Sequence, residues 1–225
     1  MLRHSSVITK WIFGILQSTG AWFITNFIYI LLVLNLLFVR NIAEVNTIIV
    51  TALALIPFVL TPGILAAFAS ARSFFNESNA LSYWQTIRTA YTTNYRLAMK
   101  TGFVYLAGLI ICYASYIFYG QWGIMGEIIP MIVAFLGTFL YLFILAYESD
   151  REEQFWHYWR NGFLLLIRHP MLMLFMMAES GLVVYFCHFL LPLLLFVAPG
   201  AVALIVMYFY RQCVQAEEHK SRGRR

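Results

Sequence analysis

A chain of 225 residues that is 62% hydrophobic and only 11% charged lies far from the ~25% charged content of soluble domains and inside the membrane class. Its net charge of +5 comes from Lys and Arg placed beside apolar runs. That pattern is a cytoplasmic retention signal, and nucleic acid is excluded as a partner. No Pro/Gly/Ser-rich or charged linker divides the chain, so one helical domain over 1–210 and a basic cytoplasmic tail over 211–225 are expected.

Val7, Ile8, Trp11, Ile12, Ile15 and Leu16 recur at helical spacing, which predicts an interfacial helix over about 5–18, ended by Gly20. A first span follows at about 22–39, long enough to cross a ~30 Å core. This run is too long for a cleaved signal and should stay as an anchor. It carries Asn26 and Asn35, whose amides can bridge to another helix. The second span, about 46–71, contains Pro57 and Pro62 and is expected to be kinked or interrupted. Gly63, Ala67 and Ala71 then fall four apart, the small-residue pattern that lets membrane helices approach closely.

Two charged and aromatic islands organise the rest. The first, about 78–99, has Leu81, Trp84, Ile87, Tyr91, Tyr95 and Ala98 against Gln85, Arg88, Thr92 and Arg96, the pattern of an amphipathic surface helix. Spans at about 101–119 and 127–147 follow, joined by a turn with Gly120, Gly123 and Gly126. The second island, about 150–169, starts with Asp150 and Glu153 in capping-box register and continues with an apolar stripe of Phe155, Trp159, Phe163, Ile167 and Pro170. Tyr83-Trp84 is matched by Tyr158-Trp159. This suggests a weak repeat of span, surface helix, span, although the interfacial preference of Tyr and Trp accounts for it equally well. The apolar stretch after Pro170 is divided by Pro192 and Pro199-Gly200, giving spans at about 171–190 and 193–210, or a re-entrant hairpin. The tail is expected to be disordered and drawn to anionic lipid.

The fold expected is therefore all-α, a polytopic membrane bundle of about six transmembrane helices with two cytoplasmic amphipathic helices. With both termini inside, only Arg40 of the 15 basic residues faces out, which places the chain in the plasma membrane with cytoplasmic ends. Cys112, Cys187 and Cys213 have no paired spacing and read as free thiols.

No metal-binding HExxH, nucleophile elbow or glycine-rich phosphate loop is present, so neither enzyme activity nor a cofactor or metal is expected. Adjacent Cys187-His188 point about 100° apart on a helix and make a poor ligand pair. Glu179 stands out near mid-depth of the fifth span, where an ionised side chain costs at least ~2.5–3.5 kcal/mol. It is expected to be neutral or paired, with Asn26, Asn35, Ser180 or a tyrosine as candidate partners. This intramembrane polar site is either substrate-contacting or an interhelical hydrogen bond. On the islands, Tyr83, Trp84 and Arg88 with Tyr158, Trp159 and Arg160 form a candidate cytoplasmic docking surface.

Several segments resemble the YesL family of small bacterial membrane proteins, also known as domain of unknown function 624. They are Asn26 in an aromatic-rich first span, Thr61-Pro62-Gly63 with Ala66-Ala67-Phe68 and Arg72, Tyr83-Trp84 with Asn94-Tyr95 and Gly102, and Asn161-Gly162 with His169-Pro170. Together they cover most of the chain; the charged tail departs from the family pattern. The resemblance implies a Gram-positive plasma-membrane protein associated with carbohydrate ABC uptake, with sugar ABC transporter components as partners. An accessory or permease-like subunit is the leading expectation, although the second island lacks the spacing of an EAA-type coupling loop. The alternatives are a stand-alone secondary transporter or channel, and a membrane assembly or signalling scaffold.

Overall fold

The computed structural model describes residues 2–39, 41–76, 83–189 and 197–222, and among these residues the fold is all-helical. The helices are α1 (Leu2–Thr25), α2 (Phe27–Leu34), α3 (Ile42–Leu55), α4 (Thr61–Asn76), α5 (Tyr83–Thr93) and α6 (Tyr95–Gly120). They are followed by α7 (Ile124–Asp150), α8 (Phe155–Arg168), α9 (Pro170–His188) and α10 (Ala198–Arg222). Among the described residues, four segments are long and apolar enough to cross a membrane: Ile42–Phe75, Tyr95–Gly120, Ile124–Asp150 and Pro170–His188. The pair Thr9–Thr25 and Phe27–Leu34, bent by 77°, makes a fifth if it counts as one span. The sixth expected span, 193–210, begins outside the described residues, as do Pro192, any re-entrant turn there, and positions 78–82 of the first surface helix.

The centre of the bundle is α1, α4, α7 and α10, where Phe68, Ile144, Leu145, Leu204, Met207 and Tyr210 are buried together. Helices α1 and α4 run antiparallel. Trp11 meets Phe74 and Phe75 at one end, and Asn26 lies against Gly63 at the other. A Cβ at position 63 would fall 2.0 Å from Asn26 Nδ2, so the close approach expected of the small-residue stripe is made at Gly63.

Between α3 and α4 the chain does not break. It widens into one π-helical turn, Ile56–Leu60, which is how a helix absorbs a proline without losing direction. The Thr61 N–H donates to the Ile56 carbonyl, and Thr61 Oγ1 donates to the same oxygen at 2.9 Å. Pro62 has no N–H to give, and the Phe58 carbonyl one turn before it accepts instead from Tyr95 Oη at 3.1 Å. With these carbonyls satisfied by neighbouring side chains, an irregular turn is compatible with an apolar surrounding.

Several expectations are corrected. Gly20 does not end an interfacial helix over 5–18, because α1 runs through it to Thr25 and packs between α4 and α10. A Cβ there would meet the Tyr83 hydroxyl at 2.7 Å; tertiary packing on both sides outweighs the ~1 kcal/mol helix penalty of glycine. The first span, 22–39, is instead broken at Asn26, whose φ of −109° and ψ of 17° fall in the bridge region that interrupts a helix. The first surface helix ends at Thr93, with Asn94 separating it from α6. The second starts only at Phe155, because Arg151 and Gln154 are extended. No capping box forms there: Asp150 Oδ2 accepts from Tyr210 Oη at 3.1 Å, while Glu153 takes Tyr147 Oη and Asn161 Nδ2.

The tail is not disordered up to Arg222. It continues α10, pinned by the Tyr210–Asp150 bond, by Arg211 over the Phe75 ring and by Glu217 on Arg168 and His169.

Candidate functional site

Helices α4, α7 and α10 end, and α6 and α9 begin, at one end of the bundle, which also carries α5 and α8. Arg72, Arg88, Lys100, Arg151, Arg160 and Arg168 gather there, and it is called the charged end below. Its surface is built by the two short helices. The buried row of α8 is Tyr158, Gly162 and Leu166, at the i, i+4, i+8 spacing of one helix face. The apolar stripe read from the sequence runs along another face: Phe163 and Ile167 are exposed, so α8 has a second apolar face turned away from the bundle.

The expected docking residues separate into anchors and surface. Tyr83 Oη donates to the Gln17 carbonyl at 2.7 Å. Tyr158 is buried; its hydroxyl donates to the Arg151 carbonyl at 2.8 Å and accepts from the Glu153 N–H at 2.6 Å. Burial raises the pKa of Tyr158 above the usual phenol value, against the opposing hydrogen bond from Glu153. Both tyrosines therefore hold their helices in place. Trp159 is half-buried, and its Nε1 has no partner among the described residues. What remains accessible is Trp84, 55% exposed, with Arg88 and Arg160. Trp156 joins them at 74% exposed. Sequence reasoning passed over Trp156; with the helix phased on Tyr158, Gly162 and Leu166, it falls on the outer face.

The intramembrane polar site is not assembled by hydrogen bonds among its three residues. Asn26 is buried, donates to the Trp22 carbonyl and Thr25 Oγ1, and keeps Oδ1 without a partner among the described residues. Asn35 is exposed and donates to the Leu31 carbonyl. Glu179 lies on the outer side of α9, next to the buried Ser180.

A different carboxyl lies inside. Glu148, in the last turn of α7, is 2% exposed. Oε2 accepts from Thr101 Oγ1 at 3.0 Å, and Oε1 has no partner among the described residues. Beside it, Arg72 Nη1 donates to the Ser149 carbonyl. Both residues line a cavity of about 380 Å³ between α4, α5 and the end of α7, whose α5 wall carries Thr86, Thr89 and Thr93. Deeper along α7, Tyr141 Oη is 2.7 Å from Thr61 Oγ1. The Thr61 proton already goes to Ile56, so Tyr141 is the donor. Tyr141 also stacks on Tyr105 at 4.0 Å, and Tyr105 bonds Thr138 at 3.0 Å. Thr61 and Tyr141 thus tie α7 to the π-helical turn, while Thr101 ties α6 to Glu148 at the cavity.

A second cavity, about 430 Å³, lies between the ends of α7, α8 and α10. Glu217 on its wall meets His169 at 3.1 Å and Arg168 and Lys220 at 3.3 Å each. Desolvation pushes the Glu217 carboxyl up, but Lys220, His169 and Arg168 outweigh it and hold the pKa below the usual carboxylate value. All three cysteines are free thiols, with Cys187 and Cys213 buried.

No protein-family model, curated protein or solved structure matches the chain.

Proposed function

We propose that this chain is a multi-pass plasma-membrane protein with both termini in the cytoplasm, and that it serves as an accessory or permease-like subunit for carbohydrate ABC uptake, akin to the YesL family. It performs no chemistry of its own and docks a transporter component through its charged end. The observation that carries this reading is the pairing of an exposed tryptophan with an exposed arginine on each surface helix, Trp84 with Arg88 and Trp156 with Arg160. Exposed Trp and Arg are the residue types most enriched at interface hot spots. Their inner neighbours Tyr83 and Tyr158 brace both helices, so the surface is presented on rigid supports.

Photo-crosslinkers placed at Trp84 and Trp156 in intact cells should capture the membrane subunit or ATPase of a sugar importer. Equivalent probes at Trp122 should not. Capture of neither component from the α5 and α8 positions overturns the docking role, and labelling of Trp156 from outside intact cells overturns the orientation.

A second reading, a stand-alone transporter, is favoured by one feature. The break at Asn26 and the π-helical turn at Ile56–Leu60 interrupt two neighbouring apolar helices, and irregular backbone at membrane depth is found where it lines a substrate path. Solute flux into proteoliposomes containing this chain alone would establish it; absence of flux across sugars, amino acids and ions would remove it.

A further inference from the structure

The cavity under α5 plays no part in docking, which concerns the outer faces of α5 and α8. Five charged residues line it: Asp150 is taken by Tyr210, Arg151 lies 3.9 Å from Glu218, Glu152 is exposed, and Arg72 and Glu148, of opposite sign, form no ion pair with each other. Glu148 commits one carboxyl oxygen to Thr101 and leaves the other unpartnered among the described residues. Arg72 commits one Nη1 proton to the Ser149 carbonyl, out of the five donors of a guanidinium, and no ion pair joins it to a carboxylate among the described residues. A carboxyl as buried as Glu148 ordinarily takes up a nearby cation such as the part-buried Arg72, because a buried charge left unpaired costs several kcal/mol. Here they line about 380 Å³ of open volume, within the range of small-molecule sites.

The choice of ligand follows from what each group still needs. The free oxygen of Glu148 needs a hydrogen-bond donor, best a cationic one, and the free edge of Arg72 needs an acceptor, best an anionic one. A simple cation or a simple anion satisfies one and leaves the other stranded. A neutral polyol reaches both but uses the charge of neither. A molecule carrying an ammonium and an acid group a few atoms apart satisfies both. The hydroxyls of Thr89 and Thr93 on the α5 wall can take up the remaining polar edges.

We propose that this cavity binds a small zwitterion of the amino-acid class, its ammonium on Glu148 and its acid group on Arg72. The same pair of charges occurs on an aminophospholipid headgroup, so the test needs two arms. In the first, the full chain purified in detergent is titrated by calorimetry with the standard amino acids, their amides, their N-acetyl derivatives, and glucose and glycerol. In the second, it is placed in nanodiscs of phosphatidylcholine with or without phosphatidylethanolamine, and lipid retained after delipidation is measured.

Saturable binding of an amino acid identifies a free solute, and selective retention of phosphatidylethanolamine identifies a headgroup. In either case Glu148→Gln and Arg72→Gln should each weaken binding by at least about tenfold, the effect of losing one charge-assisted hydrogen bond. In the solute arm, blocking either end of the ligand should do the same. Thr89→Phe, at an exposed position on the cavity wall, should abolish binding while leaving the unfolding temperature unchanged, and so keeps the test valid if a buried-site variant fails to fold. Absence of binding in both arms, equal binding of the polyols, or zwitterion binding that survives Glu148→Gln or Thr89→Phe overturns the assignment.

Discussion

The distal half of the α6–α7 hairpin and the charged end of the bundle hold opposite residues in opposite places. On the hairpin Phe118, Trp122, Met125, Ile132 and Phe135 are exposed. At the charged end Thr101, Glu148 and Ser149 are buried. In water the first arrangement forgoes about 25 cal/mol for every Å² of apolar surface left exposed, and the second buries polar groups for no return. In a bilayer both follow from one rule, since the apolar phase is then outside and polar side chains must find partners within. The contrast supports a lipid-facing hairpin and a hydrogen-bonded interior near the charged end.

The sharpest way to break that contrast is to put a charge on the hairpin. Leu136 lies on the exposed side of α7. Leu136→Asp should cost about 2.5–3.5 kcal/mol, the penalty for a carboxylate at mid-helix depth in lipid, and should be read as loss of membrane-inserted full-length chain. Arg88→Glu on exposed α5 should insert normally. If Leu136→Asp accumulates like the wild type, lipid does not face that surface.

A smaller effect tests the close packing inside. A Cβ on Gly102 would lie 2.6 Å from Pro57 Cα and 2.5 Å from Thr61 Oγ1, whereas one on Gly137 meets nothing within 4 Å. Gly102→Val should therefore lower the unfolding temperature in detergent by the equivalent of about 1–3 kcal/mol, the usual cost of overpacking. Gly137→Ala should not lower it. Smaller again is Tyr141→Phe, which removes the bond to Thr61 Oγ1 and should cost about 0.5–1.5 kcal/mol while keeping the stack on Tyr105. A Gly102→Val protein as stable as Gly137→Ala would mean that α6 does not press on the π-helical turn.

Much of this architecture is legible in the sequence, and the misses have physical causes. Long apolar helices, Tyr95–Gly120 and Ile124–Asp150, cover the stretches 101–119 and 127–147 where spans are expected, and the turn between them holds Gly123, whose φ of 104° suits glycine. Propensity puts the end of an interfacial helix at Gly20, ahead of the first span, but neighbours on both sides of α1 keep Gly20 helical and the chain bends at Asn26 instead. Glu179 drew notice as a lone acid in an apolar run, while Glu148 was hidden among Asp150, Glu152 and Glu153. Phase distinguishes them. Glu148 follows Tyr141 by seven and Ile144 by four, on the inward face of α7, whereas Glu179 lies between the buried Met176 and Ser180 without sharing their face. Trp156 was missed for the same reason, since its exposure depends on where α8 begins.

The smallest effect concerns the anchor of α10 at the charged end. The Glu217 carboxyl has its pKa lowered in the folded chain, so its contribution is present above the unfolded carboxylate value of about 4.3. It is lost as the pH falls through the lower folded value. Because Arg168 and Lys220 on the other side of these ion pairs are well exposed, salt screens the interaction and only local opening is expected. Amide hydrogen exchange over 211–222 should quicken as the pH is lowered from about 6 to about 3, after correction for intrinsic rates. The distal half of the α6–α7 hairpin, away from the Thr101–Glu148 and Tyr210–Asp150 bonds at the charged end, should not respond. Glu217→Gln should give the faster exchange already at the higher pH and remove most of the pH dependence, and added salt should move the wild type in the same direction. If exchange over 211–222 has the same pH dependence in wild type and Glu217→Gln, the end of α10 is held by Tyr210 on Asp150 and Arg211 on Phe75, and the Glu217 cluster is incidental to it.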